Sequence, residues 1–438
     1  MIKRILYTLL IMFPVVASAQ INTDRVMAIG RNALYFEDYV LSIQYFNQVI
    51  NAKPYLSDPY FYRGLAKINL DDFQGAESDC SEAIERNPFV VSAYQVRGLA
   101  RIQQNNFAGA IEDYTKALEF DPENIGVWHN MALCRIRQED YKGAKNDLDK
   151  LIAISPRYTK AYLMRGEVDL KQKDTLAAEK DFGKAIEIDR YDADTWASRA
   201  ILRLQQQRYK DAEADFDHAI RLSTRNSGVY INRALARYHQ NNLRGAMSDY
   251  DIALDIDPNN FIGHYNRGLL RAQVGDDNRA IQDFNFVIEM EPDNMMAIFN
   301  RGLLLDQTGD YKGAIKDYST VINEYPNFLL GYQYRAQARR KIGDVKGADA
   351  DEFKVLKAQL DKQNGVDPNK QTADNTENNK TRKKSDKNMN NYRKIVVADN
   401  EEGEEKYKSD YRGRVQDKNV NIVPQPMFVL TYYEKHDD

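Results

Sequence analysis

Residues 295–328 read MMAIFNRGLLLDQTGDYKGAIKDYSTVINEYPNF, and this stretch decides the fold. Ile298, Gly302 and Leu305 follow one apolar stripe; Ala314, Tyr318 and Val321 follow a second. Spacings of three and four are those of an amphipathic helix, so the stretch predicts one helix over 295–308 and another over about 311–323. Gly309 suits a left-handed residue past a helix end, Asp310 suits the cap of the next helix, and Pro326 blocks continuation. Gly302 and Ala314 are small enough for the two helices to approach closely, with Tyr318 filling the space beside the crossing.

One hairpin of this kind cannot bury both stripes, so it requires neighbours. The sequence supplies them at a period of thirty-four. The small residue of the first helix recurs as Gly30, Gly64, Gly98, Ala132, Gly166, Ala200, Ala234, Gly268, Gly302 and Ala336. The small residue of the second is Ser42, then Ala76, Ala110, Ala144, Ala178, Ala212, Ala246, Ala280, Ala314 and Ala348. The bulky partner runs Phe46, Cys80, Tyr114, Leu148, Phe182, Phe216, Tyr250, Phe284 and Tyr318. The closing proline is Pro54, Pro88, Pro122, Pro156, Pro258, Pro292 and Pro326, with Arg190 and Thr224 in its place in two copies.

This pattern resembles the tetratricopeptide repeat. Ten tandem copies are read at about 23–56, 57–90, 91–124, 125–158, 159–192, 193–226, 227–260, 261–294, 295–328 and 329–362. The resemblance implies an all-α fold, a right-handed solenoid of helix-turn-helix units whose first helices line a concave groove. Copy one is atypical, lacking the arginine before Gly30, and copy ten carries Glu352 where others are aromatic. Terminal copies differ because one face of each meets water.

An arginine precedes the small residue of the first helix at Arg63, Arg97, Arg165, Arg199, Arg233, Arg267, Arg301 and Arg335, interrupted after copy one only by Met131. An aspartate precedes the bulky residue of the second at Asp79, Asp113, Asp147, Asp181, Asp215, Asp249, Asp283, Asp317 and Asp351. Matched opposite charges at a fixed period are expected of a ladder pairing neighbouring helices, since a ligand surface more often carries one sign. Sequence alone leaves open whether each pair lies within a copy or between copies.

The flanks differ in composition. Residues 1–19 carry Lys3 and Arg4, an apolar run from Ile5 to Val16 and the small residues Ala17-Ser18-Ala19, the pattern of a secretory signal peptide with Gln20 as the new N-terminus. The run is too short to span a bilayer, and no spanning candidate follows it. The expectation is an exported protein with the solenoid over 20–362, in a bacterial periplasm by first choice, or otherwise secreted or associated with the outer membrane. Cys80 and Cys134 replace core residues in copies separated by a whole repeat, so both are expected as buried free thiols. Residues 363–410 are rich in Asn, Lys, Asp, Glu and Thr and nearly free of large apolar residues apart from Ile395 to Val397, so they read as a disordered charged linker. The basic block from Lys380 to Lys394 is cancelled by the acidic residues that follow it. Residues 411–438 are apolar again, with Met427, Phe428, Val429, Leu430, Tyr432 and Tyr433 in one β-prone run that is expected to pair with something.

No catalytic constellation emerges. The five histidines fall at unrelated repeat positions without a second ligand at metal spacing. Gly275, Gly309 and Gly343 mark the repeat turn rather than a phosphate loop, and no nucleophile elbow is present. A net charge of −4 argues against a nucleic-acid surface. The reading is non-enzymatic, with no cofactor and no metal.

The groove is the better candidate. Inward positions are Ile262, Tyr265, Asn266 and Leu269 in copy eight, Met296, Phe299, Asn300 and Leu303 in copy nine, and Leu330, Gln333 and Tyr334 in copy ten. Ile231 and Asn232 join them from copy seven, and Asn130 holds the same place in copy four. Asn232, Asn266 and Asn300 form an asparagine ladder, and an asparagine amide can both donate to and accept from an extended backbone. Inward asparagines occur in peptide-gripping members of the family the repeats resemble, whereas a carboxylate clamp needs inward Lys or Arg where this chain has Ile262, Met296 and Leu330. The expected function is a scaffold for peptide or protein segments. The alternative is an accessory subunit of a cell-envelope enzyme or export machine, recruited through residues 411–438. Within the chain, the run Val423–Tyr433 is expected to dock in the apolar groove of copies eight to ten.

Overall fold

A computed structural model describes residues 22–222, 225–363 and 389–398. Residues 23–363 form successive α-helices, and the chain falls into two compact units that part after Asp181. The first unit contains α1 (Thr23–Tyr35), α2 (Tyr39–Ala52), α3 (Asp58–Asn69), α4 (Phe73–Arg86), α5 (Val91–Gln103), α6 (Phe107–Phe120), α7 (Ile125–Arg137), α8 (Tyr141–Ile154) and α9 (Thr159–Lys171). The unit boundary falls inside α10 (Thr175–Ile188). The second unit continues with α11 (Ala193–Gln205), α12 (Tyr209–Arg221), α13 (Ser227–His239), α14 (Leu243–Ile256), α15 (Phe261–Gln273) and α16 (Asp277–Met290). It ends with α17 (Met295–Thr308), α18 (Tyr311–Glu324), α19 (Leu329–Lys341) and α20 (Val345–Gln363). Consecutive helices pack on one another from α1 to α9 and from α11 to α20, the arrangement of an α-solenoid.

The hairpin at 295–328 shows why. Gly309 ends α17 at φ 94°, and Asp310 caps α18 by accepting from the Gly313 N–H at 3.0 Å. A Cβ placed on Gly302 would stand 3.0 Å from the Tyr318 ring, so glycine sets how closely α17 and α18 approach. Ala314, Tyr318 and Val321 are buried. The same turn recurs with a different residue in the first seven copies: Glu37, Asp71, Asn105, Glu139, Lys173, Gln207 and Asn241 all hold φ near 60°. Only Gly275, Gly309 and Gly343 occupy that left-handed position at no steric cost.

The Arg–Asp ladder works both within and between copies. In copy seven, Arg233 donates through Nε and Nη2 to Asp249 on the second helix of its own hairpin, at 3.0 and 2.6 Å. Its remaining Nη1 reaches back to Asp217, on the second helix of the preceding hairpin, at 2.6 Å. Arg63, Arg97, Arg165, Arg267, Arg301 and Arg335 repeat this fork, with Asn47, Ser81, Asp149, Asp251, Asn285 and Ser319 as the backward acceptors. A planar guanidinium with five donors suits one carboxylate and a second acceptor together. The aspartates are buried.

Copy four is the exception. Met131 replaces the arginine, and Asp147 keeps one guanidinium, that of Arg135 at 2.7 Å. Burial, only partly offset by Arg135, pushes the Asp147 carboxyl up to about 6. Cys80 and Cys134 are buried and free, and burial pushes both thiols up to about 12. Glu352 faces solvent and pairs with Arg340 at 2.6 Å, as suits a terminal copy. Among the described residues no helix is long and apolar enough to cross a membrane. The proposed signal peptide and the apolar run 411–438 lie outside the described residues.

Candidate functional site: an asparagine-lined groove and the segment within it

Three helices of the second unit, α13, α15 and α17, each present one asparagine immediately before the ladder arginine: Asn232, Asn266 and Asn300. Neighbouring positions on one helix point to different faces, so the arginine turns to its hairpin mate and the asparagine to the groove. All three asparagines are buried, and each bonds the backbone of residues 389–398 of the same chain.

The segment reads MNNYRKIVVA. A single 3-10 turn over Met389–Asn391 opens it, closed by Tyr392 N–H to Met389 C=O at 3.2 Å and Lys394 N–H to Asn391 C=O at 2.8 Å. From Ile395 onward it has no regular structure. Asn266 accepts from the Val396 N–H at 2.9 Å and donates to the Val396 C=O at 2.7 Å. Asn232 does the same for Ala398, at 2.9 and 3.3 Å. Asn300 donates to the Tyr392 C=O at 2.6 Å, and the Tyr265 hydroxyl donates to that same oxygen at 2.6 Å. The segment therefore runs from copy nine back to copy seven, against the order of the repeats. Residues 396 and 398 are two apart, so one step along the ladder takes up two residues of the segment. Residues 392 and 396 are four apart, and the Asn391–Lys394 turn takes up the extra length.

The segment buries every third side chain. Met389, Tyr392, Ile395 and Ala398 are buried, while Asn390, Asn391, Arg393 and Lys394 are exposed. Tyr392 stands edge-on to Phe299 with ring centres 4.9 Å apart, and burial raises its hydroxyl above the ordinary phenol range. Met389 and Tyr392 belong to one apolar cluster with Tyr265, Met296 and Phe299, against which Leu269, Leu303, Leu330 and Tyr334 pack half-buried. Ile395 joins a cluster built from α11 to α13, and Ala398 one that includes Ile231, Tyr250 and Leu270.

Of the inward positions named from sequence, Asn232, Tyr265, Asn266 and Asn300 bond the segment's backbone, and Met296 and Phe299 share an apolar cluster with Met389 and Tyr392. Six polar contacts go to the segment's backbone, from Asn232, Asn266, Asn300 and Tyr265. Asn130, at the same register in copy four, is only half-buried. Composition assigns 363–410 to a solvated linker, yet 389–398 lies inside the groove. Backbone pairing by the asparagines and burial of Met389, Tyr392, Ile395 and Ala398 outweigh the charge around them, because Arg393 and Lys394 remain in water. Met427, Phe428, Leu430, Tyr432 and Tyr433, the residues expected to dock, lie outside the described residues. The sequence signal for this segment is the Ile395–Val397 run, the one apolar break in 363–410.

The histidines are engaged otherwise. His264 Nδ1 lies 3.0 Å from Asp283 and Nε2 3.1 Å from the Pro258 carbonyl, and its ring stacks on Phe286. His218 stacks on Trp196 and His239 on Tyr209. Among the described residues no group of three or more His, Cys, Asp or Glu could hold a metal ion.

Family profiles described as tetratricopeptide repeat match residues 125–158, 159–192, 198–261 and 265–327, and one described as TPR repeat matches 98–134. This chain carries tetratricopeptide repeats. Among solved structures it is similar to a tetratricopeptide repeat protein from Parabacteroides merdae at 21% identity and TM-score 0.45, over 57% of this chain and 98% of that one. It is also similar to the C-terminal part of a TPR repeat-containing protein from Cytophaga hutchinsonii at 18% identity and TM-score 0.46, over 54% and 97%. A third, YrrB, is described as a TPR protein with an unusual peptide-binding site; identity is 20%, TM-score 0.36, and coverage 42% and 95%. No protein of curated function matches the chain. Repeats of this type are in general protein-interaction scaffolds.

Proposed function

We propose that this protein is an exported, non-catalytic scaffold whose repeats seven to nine hold extended peptide segments through the asparagine ladder. The observation that carries this reading is the paired donation and acceptance by Asn232 and Asn266 to one backbone residue each. Such pairing reads chain conformation rather than side-chain identity, so the groove takes a strand-like segment from a protein partner. Each net hydrogen bond contributes roughly 0.5–1.5 kcal/mol, and the apolar pockets beside Phe299 and Ile231 add preference for particular side chains.

Selection of displayed random peptides on the immobilised chain tests it. Enriched sequences should share apolar residues two or three apart and lose binding when Asn232 and Asn266 are both changed to Ala. Enrichment that survives this change places the binding elsewhere and ends the reading. Export rests on the pattern of residues 1–19, and a mature N-terminus at Gln20 in the exported fraction is the expected result. A chain recovered from the cytoplasm that still begins at Met1 would contradict it.

A further inference from the structure

We infer that residues 389–398 act as a resident competitor: the chain occludes its own groove, and a partner segment enters only by displacing them. This rests on the peptide-binding reading above and concerns how that site is regulated. The segment already engages the ladder groups that a second extended segment would need. Asn232 and Asn266 spend both amide groups on the segment, and the Asn300 amide and the Tyr265 hydroxyl converge on the Tyr392 carbonyl. A second extended chain cannot share these atoms.

The geometry also specifies the rival. It is an extended segment running from copy nine to copy seven, with an aromatic residue where Tyr392 stands and an apolar residue where Ile395 stands. It needs an unsubstituted backbone N–H where Val396 stands and a small residue where Ala398 stands. Proline is excluded at the last two places, because each N–H donates to an asparagine. Ala398 lies among Ile231, Ala234 and Tyr250, which leaves little room for a large side chain.

Competition in cis is strong because the segment shares the chain. Only residues 364–388 separate it from the end of α20. Binding of the segment is therefore intramolecular, and apparent affinity for a rival falls by the fraction of grooves left open.

The test uses the full chain and a fluorescein-labelled synthetic peptide of residues 388–400, read by anisotropy. The wild type is compared with the double variant Tyr392→Asp/Val396→Pro, which removes the aromatic anchor and one N–H donor without touching a repeat. The double variant should bind the probe at least about tenfold more tightly than the wild type, and adding Asn266→Ala should abolish that gain. Equal, Asn266-dependent binding by wild type and double variant would overturn occlusion while leaving the peptide-binding reading intact. No binding to either, with helical circular dichroism unchanged, would overturn both. Should the double variant lose helical signal, Val396→Pro alone makes the same comparison.

Discussion

Adjacent residues on the same helix do opposite jobs. Arg233, Arg267 and Arg301 lie inside the solenoid wall, each tied to an aspartate of its own hairpin; Asn232, Asn266 and Asn300 precede them by one position and face the groove. The arginine recurs in copies two to ten except the fourth. The asparagine recurs in three consecutive copies and once alone, at Asn130. A residue needed to close each hairpin must be present in nearly every hairpin, whereas one that grips a ligand is needed only where the ligand lies. Frequency along the array therefore separates the packing device from the binding device.

Breaking the wall should cost most. Asp283 accepts from Arg267, Arg271 and His264; burial alone would push its carboxyl up, but those partners hold it below the ordinary carboxylate range. Asp283→Ala leaves half-buried Arg267 and Arg271 with Asp251 as their remaining carboxylate, and a loss of up to about 3–5 kcal/mol in stability is expected by denaturant titration. Asn300→Ala, seventeen residues from that site on the next hairpin, should leave the melting of the solenoid nearly unchanged.

Copy four sharpens the same comparison with pH. The Asp147 carboxyl sits at about 6 in the folded chain against an ordinary value of 3.8. A raised folded value means that the fold prefers the protonated acid. The penalty is absent below about pH 4, grows as pH rises towards 6 and is complete above it. At about 1.4 kcal/mol per pH unit this comes to roughly 1–3 kcal/mol. Met131→Arg supplies the missing cation, so it should stabilise the protein more at pH 7.5 than at pH 4.5. An equal shift in the thermal midpoint at both pH values would contradict this account.

On the groove side, Asn266→Ala should release 389–398 to protease while the helices persist. Two hydrogen bonds are lost, about 1–3 kcal/mol, and cleavage near Lys394 should accelerate about tenfold or more. Cleavage at the wild-type rate would count against the asparagine as a grip. The smallest expected effect is at the turns. Glu139 holds φ 60°, where Gly275 and Gly343 hold 82° without strain. Glu139→Gly should gain a few tenths of a kcal/mol up to about 1 in stability, read by denaturant titration.

Much of this was legible in the chain itself. Helix ends, the Gly309-Asp310 turn and the close approach at Gly302 follow from residue size and spacing, which local physics determines. The asparagine ladder was visible because its residues share one register. The direction of each arginine fork was not, since a guanidinium can reach forward or back from one position and in fact does both. That 389–398 would lie in the groove was not legible for a related reason. The asparagines grip peptide N–H and C=O groups, which every residue carries and composition does not reveal. Four well-spaced apolar side chains at 389, 392, 395 and 398 were enough once the backbone was held, even inside a basic block.

Amide hydrogen exchange at Val396 and Ala398 tests the central claim most directly, because these two N–H groups are the donors that Asn266 and Asn232 receive. Slow exchange at both in the wild type, with Val396 becoming fast in Asn266→Ala while α15 stays protected, is the predicted result. Fast exchange at Val396 and Ala398 in the wild type itself would show that the asparagines do not hold this segment.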